Sequence, residues 1–252
     1  MKSTFFIQIC RYLLAFQTIL FIQIQTSYSK ILVPQQSGVL PINLPLTIYP
    51  TSVIDSTIPL VFMISGDGGW TRFDNEMCEN LAKNGLAVVA LDAQKYFWNP
   101  RTPMEASAEI ARSVQYYMQL WNKKDFILLG FSFGASLVPF ITEYFPQPLQ
   151  QSLKGIYGLS PDLKADFEIH LGDMLGFGNK KDTYDVLSQM IKMKRFNPVC
   201  IFGEDEPLEV RSKFMESGIK IITVPGNHHY NSDAIKITGV IADEVKRSGL
   251  KK

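Results

Sequence analysis

Three short stretches carry residue types that perform acyl transfer when a fold brings them together. The first is Gly130-Phe131-Ser132-Phe133-Gly134, a match to G-x-S-x-G. This pattern has chemical meaning only between a buried strand and a helix. There, a sharp turn lifts the serine hydroxyl off the carboxyl end of the strand, and the helix points its positive end at the same spot. Both contexts are legible. Phe126 to Leu129 is an apolar run of strand length, and Ala135 to Tyr144 reads as a helix that ends near Phe145-Pro146. Gly130 and Gly134 lack the Cβ atoms that would clash in so tight a turn. The second stretch, Gly226-Asn227-His228-His229, follows the last predicted strand, where a base for the serine belongs. His228 is the preferred base because it stands nearest the glycine turn, and His229 is the alternative. His170 lies in an irregular mid-chain section and reads as a surface residue. The third stretch is Gly203-Glu204-Asp205-Glu206-Pro207. A register of three residues past a strand-end glycine selects Glu206 as the triad acid. The greater frequency of aspartate in that role selects Asp205; Glu206 is preferred, and both remain candidates. The acid's task is to hold the imidazole in one tautomer and stabilise the imidazolium.

An acyl-transfer site also needs donors for the developing oxyanion. The backbone N–H of Phe133 is the expected first donor. The second is expected from Ser65-Gly66-Asp67-Gly68-Gly69, at Asp67 or Gly68, where glycines let the backbone approach a substrate closely. Such donors supply about 3–4 kcal/mol of transition-state stabilisation. A phosphate-cradling role for the same loop is excluded, because no Lys-Ser/Thr follows it.

These stretches need strands to carry them. Pro59 to Ile64, Leu86 to Leu91, the run to Leu129, Leu153 to Leu159, Val199 to Phe202 and Ile219 to Val224 read as strands. Helices are expected over Asp74 to Asn84, from Thr102-Pro103 to about Trp121, over Thr183 to Lys194 and over Ser232 to Ser248. Ile31 to Leu40 and Leu44 to Tyr49 read as leading strands at an edge, given their prolines. Alternating strands and helices predict an α/β fold: a mostly parallel central sheet with helices on both faces. The 252 residues, 46% hydrophobic and 19% charged, suffice for one large domain. The near-neutral charge carries no basic patch of the kind that binds nucleic acid.

Residues 1–29 differ from the rest. They hold Lys2 and Arg11 but no acid, then a mostly apolar stretch and the small residues of Ser27-Tyr28-Ser29. This reads as a cleaved signal peptide, leaving residues 30–252 as a single domain. Cys10 lacks the small residues that precede a lipidated cysteine. Cys78, on a predicted helix, and Cys200, on a late strand, are expected to be buried and far apart, with no bridge and no metal site. Nothing in the pattern calls for a cofactor.

With these pieces placed, the sequence resembles the VirJ/AcvB bacterial virulence family. The matching stretches are Gly66-Asp67-Gly68-Gly69-Trp70, Tyr96-Phe97-Trp98, Arg101-Thr102-Pro103, residues 130–135, Cys200 to Glu206, and residues 225–229. The resemblance implies an α/β-hydrolase fold, a periplasmic location and a serine esterase acting on an aminoacylated phospholipid of the lysyl-phosphatidylglycerol type. The alternative it implies is a non-enzymatic accessory of type IV secretion, with secretion-system proteins as partners. A general small-ester hydrolase or peptidase is the third possibility. For the lipid reading, Trp98 and Arg101 are the expected substrate-binding residues, Arg101 pairing with a lipid phosphate and the aromatics shaping the pocket or touching a membrane surface. The family pattern often places an aspartate after the alanine that follows the elbow, and a second cysteine after the acidic loop. Ser136 and residues 207–213 stand there instead, so no disulfide is expected at Cys200.

Overall fold

The computed structural model describes residues 43–169 and 183–249. Residues 1–29, expected to be a signal peptide, the strand expected over Ile31 to Leu40, and His170 lie outside the described residues.

Continuous apolar runs become the middle of a sheet because both of their faces are covered. β2 (Leu60–Ile64) and β4 (Phe126–Phe131) are buried at every position. They pair in parallel, flanked by β3 (Val88–Leu91) on one side and by β5 (Leu153–Leu159), β8 (Val199–Gly203) and β9 (Lys220–Val224) on the other. The seven-stranded order is β1-β3-β2-β4-β5-β8-β9, with β1 (Leu46–Tyr49) antiparallel to β3 at one edge. A separate two-stranded pair joins β6 (Lys164–Ala165) to β7 (Tyr184–Asp185).

Alternate residues of the parallel strands feed two cores. Phe62, Ile64 and Leu128 pack with α3 (Pro103–Leu120) and α4 (Phe133–Glu143). Val61, Met63 and Leu129 pack with α1 (Arg72–Lys83) and α8 (Ala234–Gly249). This is the mostly parallel sheet with helices on both faces that the alternating pattern predicts, as the α/β-hydrolase fold implied by the resemblance requires. Cys200 belongs to the first core and Cys78 to the second, and both are free and buried. Burial pushes both thiols up, and Cys78 Sγ contacts Met63 Sδ at 3.4 Å.

Helix starts follow side-chain chemistry. At α3 the Thr102 hydroxyl accepts the Glu105 N–H while Glu105 accepts the Thr102 N–H, and Pro103 occupies the first turn. Thr71 and Asp74 form the same reciprocal cap on α1. The structure corrects the sequence reading in several places. The elbow helix begins two residues earlier than expected, at Phe133. Residues 92–101, between the strand expected to Leu91 and the helix expected from Thr102, contain a short helix α2 (Ala93–Tyr96) that was not expected. The helix expected from Thr183 starts only after the Tyr184–Asp185 strand, as α6 (Val186–Lys192). Two helices had no counterpart in the reading: α5 (Gln147–Ser152) and α7 (Leu208–Glu216). Each buries a single residue, Leu149 or Phe214, so neither has an apolar stripe to read. Among the described residues, no helix is long and apolar enough to cross a membrane.

Candidate active site

The carboxyl ends of β2, β4, β5, β8 and β9 lie side by side, and each one leads into a functional segment. In open α/β sheets this edge is where ligands bind. Strand β4 delivers Ser132 with φ 52° and ψ −114°, a conformation that costs about 1–3 kcal/mol in a non-glycine residue. The surroundings enforce it. A Cβ on Gly130 would lie 2.4 Å from the backbone of Gly134, and one on Gly134 would lie 2.3 Å from the Ile64 carbonyl. The Ser132 N–H is held by the Leu159 carbonyl at 2.8 Å. Strand, turn and helix are therefore interlocked, and the Ser132 side chain cannot relax back toward the sheet.

The loop after β9 brings His228 to that hydroxyl. His228 Nε2 lies 2.8 Å from Ser132 Oγ, and Nδ1 lies 3.0 Å from Glu206 Oε2. Glu206 sits in the turn after β8, which packs so closely on the histidine loop that a Cβ on Gly203 would lie 2.3 Å from the Gly226 carbonyl. Glu206 Oε1 accepts the Gly203 N–H at 2.6 Å and the Ser160 hydroxyl at 2.7 Å. Burial raises the Glu206 carboxyl. The bonds from His228, Ser160 and the Gly203 N–H outweigh it, and the group is held below the usual carboxylate range. The carboxylate raises His228 in turn, chiefly through their hydrogen bond and against the opposing effect of burial. The charges of Asp162 and Asp67 add to the rise. An ionised Glu206 can only accept. Nδ1 therefore carries the ring proton, and Nε2 is free to accept the proton of Ser132.

Of the other predicted site residues, Asp205 stands exposed, with its N–H on the Gly226 carbonyl. It is Glu206, one residue on, that reaches the histidine. His229 is exposed and contributes a ring edge against His228 and Phe131. Phe133 is the first residue of α4, so its N–H belongs to the turn that lacks intrahelical acceptors. The glycine loop runs alongside: a Cβ on Gly66 would lie 3.7 Å from that of Ser132, while Asp67 is half-buried and Gly68 borders open space. Trp98 is 48% exposed, whereas Phe97 beside it is buried against Phe133 and Phe167. Arg101 departs from expectation. Its Nη1 bonds both Glu109 oxygens at 3.2 Å, and its guanidinium lies over the Tyr96 ring at 4.6 Å. Glu109 thus pairs with the charge that was expected to meet a lipid phosphate, while Arg101 Nε is buried without a hydrogen bond.

Two residues of the cluster went unread. Ser160, at the end of β5 with φ 52°, bonds Glu206, and Tyr230, two residues past His228, reaches Ser160 at 2.7 Å. The only available signal was their position, one just beyond a strand end and one beside the base. Among the described residues, no group of His, Cys, Asp or Glu could hold a metal ion.

A family model described as bacterial virulence protein (VirJ) matches residues 59–249. No curated protein matches the chain in sequence. Among solved structures, the chain is similar to Est1E from Butyrivibrio proteoclasticus (TM-score 0.57, 17% identity, covering 81% of this chain and 93% of that one). It is also similar to the esterase domain of a Rhodothermus marinus protein (TM-score 0.57, 12% identity, 82% and 99% covered). Proline iminopeptidase from Mycobacterium smegmatis shares the fold as well (TM-score 0.56, 11% identity, 81% and 95% covered). At these identities the likeness establishes the α/β-hydrolase fold, and the neighbours' differing substrates show that the fold does not dictate one.

Proposed function

The chain belongs to the VirJ family of bacterial virulence proteins, and from that membership we propose that it is an exported serine esterase acting on aminoacylated phospholipid. The observation that carries the reading is the unbroken chain Ser132–His228–Glu206, at 2.8 and 3.0 Å, ending on a serine in a strained turn. A fold used only as a binding scaffold has no need of that alignment.

In the proposed reaction Ser132 Oγ attacks the aminoacyl carbonyl carbon while His228 Nε2 takes its proton. The oxyanion is met by the N–H groups of Phe133 and of Asp67 or Gly68. His228 returns the proton to the departing lipid oxygen, leaving the aminoacyl group on Ser132. Water, deprotonated by the same histidine, then releases the amino acid. An aminoacyl ester brings at least one ammonium group, and the carboxylates of Asp67 and Asp162, both close enough to act on His228 by charge, suit such a substrate. Exposed Trp98 is the proposed contact with the lipid or membrane surface. Export by residues 1–29 is supported by their basic start and apolar middle.

Fluorophosphonate labelling of the processed protein, with the modified residue located by mass spectrometry, tests the chemistry. Labelling confined to Ser132 and lost in His228→Ala supports the esterase. A folded protein that stays unlabelled beside a positive-control hydrolase overturns it in favour of a secretion accessory. Release of lysine from lysyl-phosphatidylglycerol liposomes, compared with a neutral short-chain ester, tests the substrate.

A further inference from the structure

Glu206 is held from two sides, and the side away from the histidine has its own construction. Ser160 Oγ lies 2.7 Å from Glu206 Oε1 and 2.7 Å from the Tyr230 hydroxyl, which also lies 2.8 Å from the Ile201 carbonyl. Ser160 and Tyr230 are 1% and 2% exposed, so water does not compete for these bonds. Proton counting gives the chain a direction. An ionised carboxylate only accepts, so the single Ser160 proton goes to Glu206. The Ser160 lone pairs then face Tyr230, which must be the donor, its proton lying between Ser160 and the Ile201 carbonyl. Burial pushes the Tyr230 phenol well up, so it keeps that proton. The circuit also closes on itself. Tyr230 is on the loop that carries His228, and that loop is linked through Ser160 and Glu206 back to His228 Nδ1.

We infer that Ser160, oriented by Tyr230, is a positioning residue that fixes Glu206 Oε1 so that Oε2 stays aimed at His228. Ser160 adopts φ 52° to do this, a left-handed conformation at the end of β5 that a serine does not favour. Without the hydroxyl, Oε1 keeps only the Gly203 N–H and the carboxylate is free to turn about that single bond.

The inference rests on the triad reading, but its test does not require turnover. The groups acting on His228 are Glu206 from the turn after β8, Asp162 from the loop after β5 and Asp67 from the loop after β2. The His229 ring, from the same loop, lies 5.4 Å from it, centroid to centroid. Asp67 lies on a loop apart from Ser160 and Tyr230, whereas Asp162 and His229 are their near neighbours in sequence, so Asp162→Asn is titrated alongside as a control. The experiment is an NMR titration of His228 in the full processed chain, its signal assigned by loss in His228→Gln. Ser160→Ala should move the His228 midpoint down by about one pH unit, the low end of what an adjacent carboxylate contributes. Tyr230→Phe should move it less, in the same direction. The double variant should go no further than Ser160→Ala, because the two hydroxyls act in series. Ser160→Gly, which the positive φ favours, should reproduce the alanine result and guards against a folding defect. An unchanged or raised midpoint in the Ser160 variants overturns the inference, as does an additive double variant. A downward shift together with no labelling of Ser132 leaves this inference standing and the esterase reading fallen. Labelling with an indifferent titration does the reverse.

Discussion

Two partly buried networks lie in this molecule, built from similar parts. In one, Glu109 accepts Arg101 at 3.2 Å and the Tyr96 hydroxyl at 2.5 Å. In the other, Glu206 accepts Ser160, the Gly203 N–H and His228. Each holds one carboxylate, one nitrogen base and one phenol. The difference lies in where the hydrogen bonds end. The first network turns inward: Arg101 Nη1 and the Tyr96 hydroxyl both bond the Glu109 carboxylate, and only Arg101 Nε is left buried without a hydrogen bond. It ties the loop before α3 to the body of that helix, and a protein needs no more from it. The second ends on Ser132, whose backbone is held at φ 52°. A dipole and proton path that runs out onto a strained, half-buried hydroxyl is an arrangement for reaction. A buried charge pair is thus weak evidence of a site until its open end is found.

The comparison breaks most sharply at the open end. Ser132→Ala or His228→Ala should each lower kcat by about 10⁶-fold on the substrate that proves best, since members of such a unit fail together. Thermal unfolding of Ser132→Ala should stay close to wild type, because alanine keeps the Cβ and leaves the φ 52° strain as it is. Retention of measurable turnover in Ser132→Ala would move the chemistry elsewhere. Next in size, Glu206→Gln should cost about 10⁴-fold by favouring the wrong imidazole tautomer. Asp205→Asn, one residue away and exposed, should leave kcat near wild type. If the two exchanged effects, the turn after β8 would adopt a different register in solution.

The pH profile gives a third and gentler measure. His228 must be neutral to take the Ser132 proton, and its folded value is raised above the ordinary 6.5. Activity should therefore fall as pH drops, by about tenfold per pH unit, with a midpoint above 6.5. The same raised value means that His228 stabilises the fold fully only below its unfolded value. That contribution is lost as pH rises through the folded one, so stability and activity should move in opposite directions across this window. A kcat/KM profile with its acidic midpoint below 6.5 would show that Glu206 does not hold the histidine as the geometry has it.

How much of this could be read from the chain follows the same division. The strand ends were legible because apolar runs such as 60–64 and 126–129 need cover on both faces, and because Gly130 and Gly134 stand where no Cβ fits. Ser132 and the segments holding the histidine and the acid are written close to those ends. The register three residues past Gly203 favours Glu206 over Asp205 but does not fix the choice. That choice depends on a backbone N–H, that of Gly203, turning toward one side chain and not its neighbour. Ser160 and Tyr230 stayed hidden because they are 70 positions apart in sequence and meet only after β5, β8 and β9 align. The capping box at Thr102 was readable three residues at a time. The partner of Arg101 was not, since Glu109 lies a loop and more than a helical turn away.

The inward-turning network supplies the smallest expected effect and the most direct check on the contrast. Arg101 is 29% exposed at its side chain and Glu109 17%, so solvent screens the pair and its contribution is modest. Arg101→Met should keep the aliphatic contact over Tyr96 while removing the charge. We expect a loss of about 1 kcal/mol, or roughly 2–4 °C in Tm for a chain of this size. The kcat and KM values should stay within about threefold on anionic and neutral esters alike, since Arg101 touches neither Ser132 nor His228. The informative comparison is between the two substrates. If Arg101→Met raised KM tenfold for a phosphate-bearing lipid and left the neutral ester unchanged, the guanidinium would be leaving Glu109 to meet the headgroup. The network would then have an open end after all, reached only when substrate is bound. If both substrates were unaffected while Tm fell, Arg101 would be confirmed as a brace for the loop before α3, and recognition of the lipid would have to come from Trp98 and the carboxylates beside His228.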